Sequence, residues 1–241
     1  SAADARARRQ RRGMWLMLAA VALFALMDAA LKALSAHYPP FQVAALRGLS
    51  SLPLVLTWAL WTVGPMPLLR VRWSLHLLRG VLGITMMASF VYALKRLPLS
   101  TAYSIFFVAP LLITALSVPF LGERVGPRRW TAIGIGLLGV LVVLRPTGEG
   151  VLSLAGLAVL VAATGYSVSA ITVRVLARTD STQAITFWLL ALMALGAGAL
   201  ALPNWVPLRA QDAWIIVGIG VAGALGQYTI TEAFRLGEAS L

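Results

Sequence analysis

Apolar residues run through this chain in stretches of about twenty, the length that crosses the hydrocarbon core of a bilayer. Charged and turn-forming residues stand between them. The pattern predicts eight membrane helices: Met14–Ala36, Phe41–Val63, Trp73–Leu94, Thr101–Leu121, Trp130–Leu144, Leu154–Leu176, Ala184–Leu202 and Ala213–Phe234. The connections are short and carry Pro, Gly or charge, as in His37-Tyr38-Pro39-Pro40, Gly64-Pro65-Met66-Pro67, Gly122-Glu123-Arg124-Val125-Gly126-Pro127 and Arg145-Pro146-Thr147-Gly148. None has room for a soluble domain.

The two halves repeat at a constant offset of 140 positions. Ala93-Leu94-Lys95-Arg96-Leu97-Pro98-Leu99-Ser100 matches Ala233-Phe234-Arg235-Leu236-Gly237-Glu238-Ala239-Ser240. The same offset pairs Gly80 with Gly220, Gly83 with Gly223, and the loop before Gln42 with the loop before Thr182. A unit of five helices is odd-numbered, so its second copy must run inverted to the first, a construction used by secondary transporters. The expected fold is an all-α integral membrane inverted repeat of five-helix units. Residues 1–12 form a basic cytoplasmic arm, 13–146 the first repeat with helices 1–5, and 153–241 the second with helices 6–8. By the offset, the second copy is expected to need roughly 45 residues more, enough for helices 9 and 10 of a ten-helix protein.

Composition agrees. Apolar residues are 60% and charged residues 12%, half the share of a soluble domain. Mean hydropathy is +0.87. The chain has no cysteine, which excludes disulfides and thiolate chemistry, and only two histidines, His37 and His76. The net charge of +12 reflects topology rather than nucleic-acid binding, because the basic residues sit at helix ends. Thirteen fall on the side of the N-terminus: Arg6, Arg8, Arg9, Arg11, Arg12, Arg70, Arg72, Arg124, Arg128, Arg129, Arg174, Arg178 and Arg235. Four fall opposite: Lys95, Arg96, Arg145 and Arg209. The N-terminus is therefore expected in the cytoplasm. The first helix is too long for a signal peptide and is read as uncleaved.

Leu78-Arg79-Gly80, Tyr92-Ala93-Leu94, Leu97-Pro98-Leu99-Ser100, Pro110, Leu121-Gly122-Glu123-Arg124, Trp130 and Gly139-Val140 resemble the EamA-type branch of the drug/metabolite transporter superfamily. The resemblance covers the whole hydrophobic chain. It implies ten helices with both termini inside and a central cavity between the repeats. The Leu-Arg-Gly and Leu-Gly-Glu-Arg stretches are most similar to members linked to uptake or export of organic metabolites, including S-adenosylmethionine, riboflavin and carboxylates. It implies a bacterial inner-membrane location, and it does not fix the cargo.

Charged residues inside spans cost roughly 2.5–3.5 kcal/mol each, so each needs a partner or a watery cavity. Asp28 lies about 21 Å from the inner end of its helix and Arg47 about 9 Å from the outer end of the next, which puts them at one depth. Lys32 is one turn from Asp28. Asp28 is expected within ion-pair reach of Arg47 or Lys32, either as a structural cluster or as a set whose excess positive charge attracts an anionic cargo. Arg79 either snorkels to the inner surface or offers a second anion contact. Pro110 leaves the Phe106 carbonyl without its helical donor and should bend the fourth helix. Tyr103, Phe106 and Phe107 stand beside it and suit a planar substrate, or simply pack. The second half offers Tyr166, Gln227, Tyr228 and Glu232. Glu232 is read as an ion-pair partner of Arg235 or as a coupling carboxylate, a role for which Asp28 is the better buried candidate. The cavity is expected to be positive and lined by the first, third, fourth, sixth and eighth helices.

Gly134-x-Gly136-x-x-Gly139 and Gly218-x-Gly220-x-x-Gly223 spell a dinucleotide fingerprint, but both lie inside apolar helices, where small residues permit close packing. No phosphate-binding Gly-Lys loop is present, so the chain cannot itself be an ATP-driven pump. A lipid-modifying membrane enzyme would need a catalytic constellation, and the carboxylates here are scattered singly. A channel would need a filter loop or charged ring. The expected function is secondary transport of a small organic metabolite with an anionic or zwitterionic group. No cofactor, metal or nucleic acid is expected, the lipid bilayer is the surrounding partner, and a homodimer is left open.

Overall fold

The computed structural model describes residues 2–122, 125–144 and 153–238. Glu123 and Arg124, the connection from Arg145 to Leu152, and the residues from Ala239 onward lie outside them. Ten α-helices are present among the described residues, and no strand: α1 (Ala2–Ser35), α2 (Pro40–Thr62), α3 (Met66–Leu69), α4 (Trp73–Leu94), α5 (Leu99–Phe106), α6 (Ala109–Leu121), α7 (Pro127–Leu144), α8 (Leu154–Leu176), α9 (Thr182–Ala201) and α10 (Ala213–Glu238). In hydrocarbon every backbone donor and acceptor must be met internally, and a helix does this within one segment.

Local sequence sets the helix ends. Proline opens α2, and Pro98 stands just before α5, where a missing N–H costs nothing. Ser153 and Ser181 cap α8 and α9, accepting from the N–H groups of Gly156 and Ala184 at 3.1 and 3.2 Å. Gly122 closes α6 in the left-handed region, at φ 68°.

Among the described residues seven stretches are long and apolar enough to span a membrane: Arg11–Ser35, Pro40–Thr62, Trp73–Leu94, Leu99–Leu121, Leu154–Leu176, Thr182–Asn204 and Ala210–Ala233. This is one fewer than the sequence pattern predicts. The difference is α7, whose first turn is Pro127-Arg128-Arg129 and whose described apolar part ends at Leu144. That part is shorter than the roughly twenty residues a bilayer core requires. Large apolar side chains such as Trp61 and Trp214 stand fully outward, as a lipid-facing surface demands.

The fourth span is two helices, α5 and α6, divided at Phe107–Val108 just before Pro110. Helices α2 and α9 pack against each other at the centre. On one side α1 lies on α10, and on the other α4 lies on α8; α2 also meets α10, and α4 meets α9. Adding 140 to the residue numbers exchanges α1 with α8, α2 with α9 and α4 with α10, so these contacts map onto one another.

The paired glycines do equivalent work in this arrangement. Gly80 and Gly83 of α4 sit against Leu192 and Leu189 of α9, and Gly220 and Gly223 of α10 against Ser50 and Ser51 of α2. Gly134, Gly136 and Gly139 of α7 differ, as does Gly218, because nothing lies within 4 Å of where a Cβ would stand. The packing role expected of both glycine stretches therefore applies to Gly220 and Gly223 alone. Helix α7 lies at the edge, against α5 and α6, with its glycine face open.

Candidate functional site

Asp28 and Tyr103 form the centre of the candidate site. The Tyr103 hydroxyl on α5 donates to Asp28 Oδ2 on α1 at 2.6 Å. An aromatic series leads away from that bond. Tyr103 lies 6.4 Å from Phe90 between ring centres, Phe90 lies 5.7 Å from Phe106, and Phe106 lies 5.5 Å from Tyr166. These rings come from α4, α5 and α8, so the series links three helices on one side of the molecule. The tilted and edge-on geometries are those that ring quadrupoles favour.

Arg47 on α2 is buried, and its bonded neighbours are thioethers. Nε donates to Met27 Sδ at 3.3 Å, and Nη1 points to Met193 Sδ at 3.9 Å. Sulfur is a weak acceptor. Among the described residues Asp28 makes no ion pair with Arg47 or Lys32, which corrects the expected contact. Asp28 and Arg47 still attract through space. The physical reason is competition: Tyr103 takes the carboxylate oxygen, and the ends of α4 and its loop take Lys32.

Lys32 Nζ donates to the Leu94 and Leu97 carbonyls at 2.6 and 2.9 Å. Those carbonyls end α4, where helices leave acceptors unpaired and favour a cation. Arg79 does not snorkel. It is 2% exposed, with Nε bonded to Ser169 Oγ of α8 at 3.3 Å and Nη1 to the Ile185 carbonyl of α9 at 2.9 Å. Lys32 and Arg79 both brace helices.

The remaining candidates are dispersed. Phe107 is exposed. Pro110 is also exposed, two residues beyond the break between α5 and α6. Tyr228 makes an edge contact with Trp58, ring centres 5.1 Å apart, on the α2–α10 side. Glu232 is half-buried near the end of α10, and its expected partner Arg235 has a side chain outside those described. An apolar groove of about 330 Å³ runs between α1 and α10, lined by Leu26, Met27, Ala30, Trp214 and Ile215 among others. It borders the Asp28 region, and the residues that line it carry no charge.

Sequence reasoning missed four contacts that tie the helix ends. They are the His76–Asp180 pair, the Tyr38–Asp212–Arg209 set, the exchange between Gln42 and Val206, and the bond from Trp188 Nε1 to the Leu68 carbonyl at 2.7 Å. The one available signal was the placement of Asp180 and Asp212 in short loops immediately before helices.

The all-helical fold, the membrane-length spans and the buried charges inside them define an integral membrane transport protein. The EamA-like transporter family model matches residues 11–145, more than half of the chain, and the chain belongs to that family. It is similar to the pseudopaline exporter of Pseudomonas aeruginosa, 29% identical over 95% of this chain and 80% of that protein. It is similar to the riboflavin transporter of Vibrio cholerae, 29% identical over 94% of this chain and 77% of the other. It also resembles the S-adenosylmethionine uptake transporter of Rickettsia conorii, 26% identical over 94% and 76%. A solved crystal structure shares the fold, with a TM-score of 0.71, 23% identity, and coverage of 97% of this chain and 83% of that one. The protein is a secondary transporter of a small organic metabolite, not an enzyme.

Proposed function

We propose that the chain carries a metabolite with an anionic or zwitterionic group across a bacterial inner membrane, with its N-terminus in the cytoplasm. Transport proceeds by alternating access between two inverted five-helix units, 13–146 and one beginning near 153. Arg47 meets the anionic group, and Asp28 balances charge or meets a cationic group of the cargo. Tyr103, Phe106 and Tyr166 take a planar body. Lys32 and Arg79 hold the helices that form the site.

The observation that carries this reading is Arg47, a buried guanidinium with thioether sulfurs as its bonded partners. Such a cation inside a span is costly unless a better acceptor reaches it. An organic carboxylate or phosphate supplies that acceptor in the planar geometry a guanidinium suits. The relatives' cargoes, by their names riboflavin, S-adenosylmethionine and pseudopaline, support a bulky organic substrate.

A thermal-shift screen tests the site, because a ligand of the native state raises apparent stability. Organic anions or zwitterions should raise the melting temperature of the parent and fail to do so in Arg47→Gln. Stabilisation by simple organic cations alone, or an unchanged response in Arg47→Gln, would overturn the assignment.

A further inference from the structure

Two sets of polar contacts tie loops to helix starts on opposite faces of the molecule. On the face from which α1 enters, Asp180 stands in the loop between α8 and α9. Its Oδ2 accepts from the backbone N–H of Arg72 at 3.2 Å and meets His76 Nε2 at 2.8 Å. Its Oδ1 accepts from Thr179 Oγ1 at 2.7 Å. Arg72 is the N-cap of α4 and makes no side-chain cap of its own, so Asp180 supplies the acceptor that this helix start lacks. One turn on, Arg79 fastens α4 to Ser169 and to the Ile185 carbonyl.

On the opposite face Tyr38 stands in the loop between α1 and α2. It donates to Asp212 Oδ2 at 2.6 Å and accepts from the Arg209 N–H at 3.0 Å. The Arg209 guanidinium holds Asp212 at 2.8 and 3.1 Å. Gln42 and Val206 exchange a further pair of bonds, at 2.6 and 2.9 Å. Subtracting the 140-residue offset carries Asp212 to Arg72, and adding it carries the α1–α2 loop to the α8–α9 loop. In each case the first loop of one half holds the start of the third long helix of the other.

The two sets differ in chemistry. An imidazole is the side chain whose ordinary titration falls between pH 5 and 8, and only the first set holds one. His76 is 1% exposed, and its Nδ1 has no hydrogen-bond partner among the described residues. Burial works against ionisation of Asp180, but bonds from Thr179, His76 and the Arg72 N–H outweigh it and hold the carboxyl below its usual range. Asp180 therefore stays an anion while His76 changes.

We infer that His76 and Asp180 form a proton-responsive latch closing the face from which α1 enters, with Tyr38, Asp212 and Arg209 as its histidine-free counterpart opposite. This rests on the carrier reading. Neutral His76 carries its proton on Nε2 and donates to Asp180. A proton from solution must add at Nδ1, where it creates an N–H with no acceptor and a cation beside Arg79. The added proton turns the Nε2 bond to Asp180 into an ion pair, but it also buries a cation beside Arg79 and leaves an N–H without an acceptor; that burial cost exceeds the gain, and the latch opens in acid. The charged groups that act on His76 are Asp180 and Arg79. Of the helices packed on α4, α9 has no titratable side chain, and α8 adds Arg174 and Tyr166. Helix α2 adds Arg47, α5 adds Tyr103, and α1 adds Asp28, Lys32 and the exposed Arg8, Arg11 and Arg12. Asp28, Lys32 and Tyr103 belong to the other end of α4, where Lys32 meets Leu94.

The absence of native cysteine makes the test clean. Thr172→Cys places a thiol on α8 at a buried position three residues beyond Ser169, on the same side as the latch. Its maleimide labelling rate in purified protein is read as a ratio to that of exposed Ser100→Cys, which removes the pH dependence of the thiol itself. The ratio should rise roughly tenfold from pH 8 to pH 5.5, as expected when a buried N–H is created without an acceptor. With His76→Gln it should be flat, because the amide donates but does not titrate. With Asp180→Ala it should be high at both pH values, and with Asp212→Ala it should match the parent. A pH response that persists in His76→Gln, a fall on acidification, or a parental ratio in Asp180→Ala would overturn the latch. None of these outcomes bears on whether cargo is transported.

Discussion

Replacing Gly220 by Ala should destabilise the protein, while the same change at Gly218, two residues away on the same helix, should not. A Cβ on Gly220 would stand 2.5 Å from the Ser50 carbonyl oxygen, 2.7 Å from its carbon and 2.8 Å from Ser50 Cβ. Backbone atoms of α2 cannot rotate aside, so α10 must move away. Overpacking of this kind costs about 1–3 kcal/mol, and a backbone obstacle belongs at the upper end. Alanine regains up to about 1 kcal/mol of helix propensity, leaving a net loss of roughly 2 kcal/mol. At Gly218 nothing lies within 4 Å, so only the propensity gain remains. Gly80→Ala should fall between, because it meets side-chain atoms rather than backbone: Leu192 Cβ at 2.8 Å and the movable Cδ1 at 2.9 Å. The assay is apparent melting in detergent at one fixed scan rate, since membrane proteins unfold irreversibly. A Gly220→Ala protein that melts at or above the parent, or a Gly218→Ala protein that falls as far, would refute the packing argument.

Further outcomes follow from the same contacts. Arg79→Ala should lower melting temperature and transport together, because it unfastens α4 from α8 and α9, whereas Arg128→Ala at the exposed start of α7 should change neither; equal effects in uptake and melting assays would contradict this. Tyr103→Phe removes a hydrogen bond to a carboxylate, worth about 1.5–3 kcal/mol, and should change cargo affinity more than the ring-packing contact it preserves. Asp180 has a folded pKa depressed below its ordinary value of 3.8, so its contribution to stability is complete above that value and is lost as pH falls through the lower folded one. The stability gap between Asp180→Asn and the parent, already narrowed by opening of the latch, should therefore close fully in acid unfolding series below about pH 4, and a gap that widens there would reverse the sign of the argument.

The helical membrane fold was legible because hydrocarbon imposes one requirement, continuous apolar helix, on every span. The glycine pairs at the 140-residue offset were legible for a similar reason: close backbone approach demands the same small residue in both halves. Side-chain partners were less legible. Depth along a helix placed Asp28, Lys32 and Arg47 near one another, but it could not show that Tyr103 would reach Asp28 first or that Lys32 would reach the end of α4. For Arg79, distance from the helix end left snorkelling and an anion contact both open, and it could not show that packing of α8 and α9 over α4 seals it. His76 and Asp180 are 104 positions apart, and no local pattern joins them.

The central claim is that Arg47 receives the charged group of a transported organic metabolite. Counterflow in proteoliposomes tests it most directly, with the parent and Arg47→Gln compared on S-adenosylmethionine, which carries a carboxylate, and the simple cation tetraethylammonium, which does not. The parent should exchange an anionic or zwitterionic cargo and not the simple cation. Arg47→Gln, folded to the same melting temperature, should exchange it at least about tenfold more slowly, the consequence of losing roughly 1.5–3 kcal/mol of charged hydrogen bonding. Counterflow of the cation alone, or a parental rate in Arg47→Gln, would contradict the account.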